Sequence, residues 1–191
     1  MSIDGDGWLT TARRQPSPNF NERPAGCDIS LVVVHNISLP PGEFGGPFIE
    51  DFFTNRLDTA RHPYFETISG LQVSAHLLIR RDGELVQFVP FGLRAWHAGK
   101  SSYGGRENCN DYSVGIELEG TDVLPYEAVQ YERLAEVICT LQVRYPAIER
   151  HITGHSQIAP ERKTDPGDAF DWVLLNVRMA VSSRKDASNQ G

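Results

Sequence analysis

The segment GHSQIAPERKTDPG, residues 154–167, gathers more reactive side chains than any other stretch of this chain. It carries a histidine, a lysine and an aspartate around two prolines, with no apolar run that would bury them as core filler. His155 and Asp165 are both first-choice zinc ligands. Zinc takes imidazole nitrogen and carboxylate oxygen, and a catalytic site uses three protein ligands with one position open for water. The third ligand must then come from elsewhere, and His35, closing the run LVVVH, is the best placed. A continuous apolar run of that length reads as a buried strand, and functional groups in α/β sheets collect beyond the carboxyl ends of strands. Two histidines and a carboxylate fit a hydrolytic zinc site.

Spacing alone leaves other trios open. The chain has six histidines, the remaining four being His62, His76, His97 and His151, and it has neither an HExxH helix nor a CxxC pair. Hydrolysis at such a centre also needs a group that moves the water's proton, and a carboxylate beside the metal that does not ligate it can do so. Glu117 and Glu119 are the candidates. Their two-residue spacing puts both on one face of a strand, where they can equally be two solvated acids. Lys163, two residues before Asp165, can hold the oxyanion of a tetrahedral intermediate, or it can be an ordinary loop lysine.

Positioning these groups requires a sheet. Residues 29–35 read as the first buried strand, after a Pro- and Asn-rich leading loop at 13–28. LPPGEFGGP at 39–47 must be loop, and 48–54 can form a short helix. Residues 74–80 and 84–89 flank Asp82-Gly83, a strong hairpin signal. In YSVGIEL, residues 112–118, Val114, Ile116 and Leu118 share one face. Pro125 sits where a helix can begin, and Val129, Leu134, Val137, Ile138 and Leu141 give it an amphipathic spacing until Pro146 stops it. A last helix starts near Asp171 as N-cap and docks through Trp172, Leu175 and Met179. Strands and helices interleave, which predicts an α/β fold: a single domain with a mixed central β-sheet flanked by helices.

The whole chain sets bounds. Its 191 residues suit one domain over residues 1–181, with a catalytic core at 29–173 and a disordered polar tail at 182–191. A net charge of −7 argues against a nucleic-acid partner. No segment reaches the roughly 18 apolar residues of a membrane helix. Three cysteines without a framework fit a reducing compartment, and the acidic N-terminus lacks a signal-peptide pattern. A cytoplasmic protein is the expectation.

HNISLPPGEFGGP, SAHLLIRRDGELVQFVPF, RAWHAG, NDYSVGIELEGTD and GHSQIAPERKTDPG, in that order, closely resemble the AmpD-type 1,6-anhydro-N-acetylmuramoyl-L-alanine amidases. The resemblance covers nearly everything from residue 8 to 172. It implies a zinc amidase of peptidoglycan recycling, in the superfamily of phage-lysozyme-type amidases and peptidoglycan recognition proteins. Its substrate would be a small anhydromuropeptide, cut between the anhydromuramic lactyl group and L-alanine, with no obligate protein partner. The implied ligands of one zinc ion per chain are His35, His155 and Asp165. The acid/base carboxylate falls on Glu117 and the oxyanion lysine on Lys163. His76 and His97 would not be ligands, and Trp96-His97 is expected to wall the cleft. Ser156 departs from relatives that often carry cysteine there, and with Asp165 as third ligand it should leave zinc binding intact. Arg80, Arg81 and Arg106 are available for stem-peptide carboxylates.

Overall fold

The long strands form where β-branched residues recur, and the long helices form where apolar residues recur at the helical period. A computed structural model describes the backbone of residues 1–188 and the side chains through residue 182. Two short strands lead, β1 (Arg13–Arg14) and β2 (Phe20–Asn21), followed by β3 (Leu31–Ile37), α1 (Phe48–Phe53) and α2 (Pro63–Thr67). Next come β4 (Leu77–Ile79), β5 (Leu85–Gln87), β6 (Arg94–Ala95), β7 (Ser102–Tyr103), β8 (Arg106–Glu107) and β9 (Ser113–Glu119). The chain continues through α3 (Ala128–Arg144), β10 (Ile152–Gly154), α4 (His155–Ile158) and α5 (Trp172–Ser188).

Six strands make one sheet in the order β1-β5-β4-β9-β3-β10. Only the β4–β5 hairpin is antiparallel, so the sheet is mixed as expected. On one face Val32, Val34, Val114, Ile116 and Leu118 pack against Leu134, Val137, Ile138 and Leu141 of α3 and Leu175 of α5. Each such fully buried side chain contributes about 1.5–3 kcal/mol. On the other, Leu78 and Val86 meet Ile49, Phe52 and Phe53 of α1 and Phe65 of α2.

The details differ from the sequence reading in places. The leading loop holds β1 and β2, because the open edge of β5 accepts β1 in parallel and Arg13 is clamped by Glu50 and Glu84, both at 2.8 Å. Strand β3 runs on to Ile37, since its partner β9 continues to Glu119. The hairpin ladder is shorter than predicted because the N–H groups of Phe88 and Val89 both point at the His76 carbonyl, a bulge that ends regular pairing. Its turn needs Gly83, which sits at φ 87° and whose added Cβ would lie 2.7 Å from Val129.

Helix α3 starts at Ala128, later than Pro125 suggests. Gln130 fixes that start: its Oε1 accepts from Glu127 N–H at 3.0 Å, and its Nε2 donates to the carbonyls of Ile79 and Glu119. Asp171 caps α5, its carboxylate accepting from Leu174 N–H at 2.8 Å. That helix runs through Ser188, past residue 181, so residues 182–188 of the expected disordered tail are helical in backbone. Residues 189–191 of that tail lie outside the described residues. No helix among the described residues is long and apolar enough to cross a membrane.

Candidate metal centre

Register brings the reactive groups together. His35 on β3 pairs with Glu117 on β9, and Gly154 at the end of β10 pairs with Val34, so His155 emerges level with His35. All three positions sit at carboxyl ends of parallel strands, where such sites form. Asp165 arrives from the loop after α4. Ser156 N–H donates to the Asp165 carbonyl at 2.9 Å, and the Pro166 carbonyl accepts from Asn36 at 3.0 Å and Tyr126 at 2.7 Å. Ser156 therefore serves the loop through its backbone.

Three donor atoms converge. His35 Nδ1 and His155 Nδ1 are 3.0 Å apart, and each is 3.1 Å from Asp165 Oδ2. Bonds of roughly 2.0–2.1 Å at tetrahedral angles place ligand atoms about 3.3 Å apart, so the triangle has the size a metal ion requires. His155 Nε2 lies 3.1 Å from the Ala98 carbonyl, which can only accept, so its Nδ1 turns a lone pair into the triangle. Burial lowers the His35 pKa to about 4, which keeps the ring in its ligating, neutral form. Among the described residues this is the group of histidine, cysteine and acidic side chains that can hold a metal ion.

The two candidate carboxylates separate sharply. Glu119, 2% exposed, accepts from Gly45 N–H at 2.7 Å, Arg80 at 3.2 Å and Arg81 N–H at 3.1 Å, which consumes it structurally. Glu117, also buried, lines a cleft of about 660 Å³ with His35, His155, Lys163 and Asp165. Its Oε2 has no hydrogen-bond partner among the described residues. Burial, and then the Asp165 charge, push its pKa well above the ordinary value of 4.5, with Lys163 opposing. The picture of two solvated acids fails for both.

That shift makes Glu117 a stability liability. Below the ordinary value both folded and unfolded chains hold the proton, and no penalty exists. Above it the unfolded carboxyl ionises freely while the folded one resists, so stability falls as pH rises toward the folded pKa. Metal-free Glu117→Gln is accordingly expected to be more stable than the unsubstituted protein at pH 7 and to lose that advantage at pH 4. Denaturant titration at both pH values checks this.

Lys163 is exposed at the cleft, held by a turn in which Arg162 N–H and Lys163 N–H both donate to the Ala159 carbonyl at 3.0 Å. The three arginines that the sequence leaves available for the peptide's carboxylates lie elsewhere. Arg80 is buried against Glu50 at 2.7 Å and Glu119, Arg81 pairs with Glu127, and Arg106 lies over Tyr112. Among the described residues the arginine lining the cleft is Arg162, which the sequence reading passed over although it adjoins Lys163; it donates to the carbonyls of Ala98 at 2.7 Å and Lys100 at 2.9 Å.

His97 lines the cleft, but Trp96 does not, its indole donating instead to Asn21 at 2.7 Å. The aromatic lining comes from Phe52 and Phe53 of α1 and Tyr64 of α2. His76 stays out of the centre: its Nδ1 accepts from Gly115 N–H at 3.0 Å, and burial holds its pKa down at about 3.

The family description N-acetylmuramoyl-L-alanine amidase (Amidase_2) matches residues 25–168. The chain belongs to this amidase family. The 1,6-anhydro-N-acetylmuramyl-L-alanine amidase AmpD of Citrobacter freundii is 61% identical over 186 residues, 97% of this chain and 99% of that one. A crystal structure of a Se-Met AmpD derivative superposes with a TM-score of 0.91 at 61% identity, covering 93% of this chain and 99% of that chain. A more distant relative, the amidase AmiD from E. coli, was solved with the substrate anhydro-N-acetylmuramic acid-L-Ala-D-gamma-Glu-L-Lys. It superposes with a TM-score of 0.58 at 26% identity, covering 92% of this chain and 65% of that chain. The amidase fold is thus shared from close to distant members.

Proposed function

We propose that this amidase hydrolyses the bond between 1,6-anhydro-N-acetylmuramic acid and L-alanine of the stem peptide in cytoplasmic anhydromuropeptides, releasing sugar and peptide for reuse. The observation that carries the reading is the meeting of three metal-ligating atoms and one buried, unpartnered carboxylate at a single cleft. The close similarity to AmpD, and the anhydromuropeptide bound to AmiD, support the substrate class.

His35, His155 and Asp165 would hold one zinc ion. Zinc, when bound, lowers the pKa of water toward 7 and polarises a carbonyl. Glu117 takes the proton of the attacking water as the new C–O bond forms. The same carboxyl then delivers that proton to the alanine nitrogen as the C–N bond breaks. Burial raises its pKa above the ordinary carboxyl range, which favours its taking the proton from the water. Lys163 steadies the negative charge that gathers on the carbonyl oxygen.

Mass spectrometry of purified anhydromuropeptide incubated with the protein, with and without a chelator, tests the reaction. Intact substrate after long incubation with zinc-replete protein would overturn it. The metal has its own check. Elemental analysis is expected to find close to one zinc per chain, and His35→Ala, His155→Ala or Asp165→Ala should each lower that occupancy sharply. Full zinc in all three variants would rule out this ligand set.

A further inference from the structure

We propose that His97 is a positioning residue for the metal centre: held by Ser113, it fixes the ring tautomer of His35 so that the His35 Nδ1 lone pair faces the ligand triangle. The inference rests on the metal site proposed above.

A run of hydrogen bonds dictates each proton in turn. Ser113 Oγ lies 2.6 Å from the Cys109 carbonyl oxygen. Two oxygens that close repel unless a proton lies between them, and a carbonyl has none to give, so the hydroxyl donates there. Ser113 Oγ must therefore accept at its other contact, 3.1 Å from His97 Nε2, which places a proton on that nitrogen. A neutral ring protonated at Nε2 keeps Nδ1 bare. His97 Nδ1 is 2.9 Å from His35 Nε2, so His35 is the donor and its own proton sits on Nε2. The His35 Nδ1 lone pair is left to face His155 Nδ1 and Asp165.

The ring of His97 has a place built for it. An added Cβ on Gly115 of β9 would lie 2.4 Å from His97 Cγ, so only glycine lets the imidazole lie against the strand. The ring meets His35 edge-on, with centroids 5.0 Å apart. Ligating histidines usually give their second N–H to a carboxylate, a backbone carbonyl or water, and of these the carboxylate and the carbonyl can only accept. His155 follows that habit through Ala98. His35 does not: its acceptor is another imidazole, which accepts in one tautomer and donates in the other. Ser113 removes that ambiguity.

The test compares His97→Phe, which keeps a ring against Gly115 but offers no acceptor, with His97→Asn, which sets an amide oxygen near the former Nδ1. Zinc affinity is measured by competition with a chelator, and the His35 tautomer of the metal-free protein by ring ¹⁵N shifts. His97→Phe is expected to weaken zinc by about 10–100-fold and to mix the His35 tautomers, while His97→Asn recovers much of both. Ser113→Ala should move both readouts the same way by less, and it stands in if His97→Phe does not fold. Unchanged affinity and tautomer in His97→Phe would overturn the inference, as would weakened zinc with an unchanged tautomer and no rescue by asparagine. If the unsubstituted protein bound no zinc, the metal site itself would fail, and the metal-free ¹⁵N spectrum would still judge the His97–His35 bond.

Discussion

Glu117→Ala is expected to lower turnover by about 10²–10⁴-fold, the usual range for a lost general acid–base group, while zinc content and fold stay intact. The carboxyl lies at the cleft with an oxygen that no described residue engages, so its removal opens only a small space beside the ligand triangle. Glu119 is the matched control, two residues along the same strand face. Glu119→Ala strips buried acceptors from Arg80, Arg81 N–H and Gly45 N–H. Leaving such donors unsatisfied costs about 1–3 kcal/mol, so this variant should melt earlier yet retain its chemistry when folded. Steady-state kinetics, thermal melts and zinc analysis on both variants check the contrast. A crippled, zinc-replete Glu119→Ala beside a nearly normal Glu117→Ala would reverse the assignment.

The same pair shows where sequence stops being legible. Two-residue alternation correctly predicts a shared face for Glu117 and Glu119 and is silent on what covers it. The covering residues come from far along the chain. Gly45 belongs to a loop that pattern reading marks only as irregular, and Arg80 belongs to the hairpin. Local signals fared better where the physics is local. The apolar run before His35 made a central strand, Asp82-Gly83 made a turn, and Asp171 capped its helix. Short strands such as β1 left no trace, since two exposed arginines pair through backbone atoms that every residue has. The cleft arginine was missed for a related reason. Arg80, Arg81 and Arg106 are as suitable in type as Arg162, and only contacts made in the fold withdraw them: ion pairs for Arg80 and Arg81, and the Tyr112 ring beneath Arg106. His97 was legible as a non-ligand of the family pattern, but its contact behind His35 depends on Gly115 opening a space one strand away.

Lys163→Ala is expected to depress kcat by about 10²–10³-fold, the loss typical of one oxyanion donor, with little change in KM or zinc content. Lys163 is exposed at the cleft, and its charge reaches both Glu117 and His35. It is set there by the turn on Ala159 and by the anchoring of the Asp165 carbonyl to Ser156. The oxyanion exists only during reaction, so a group that serves it affects the chemical step more than the binding of ground-state substrate. Zinc content should hold because the three ligand atoms are positioned without the lysine. Lys163→Arg should recover only part of the rate, since a planar fork does not place its charge where a compact ammonium does. The nearby Arg162 cannot substitute, because its guanidinium is already engaged by the carbonyls of Ala98 and Lys100. Near-normal kcat with a greatly raised KM in Lys163→Ala would show that the lysine grips a substrate carboxylate instead, and the oxyanion role would have to be abandoned.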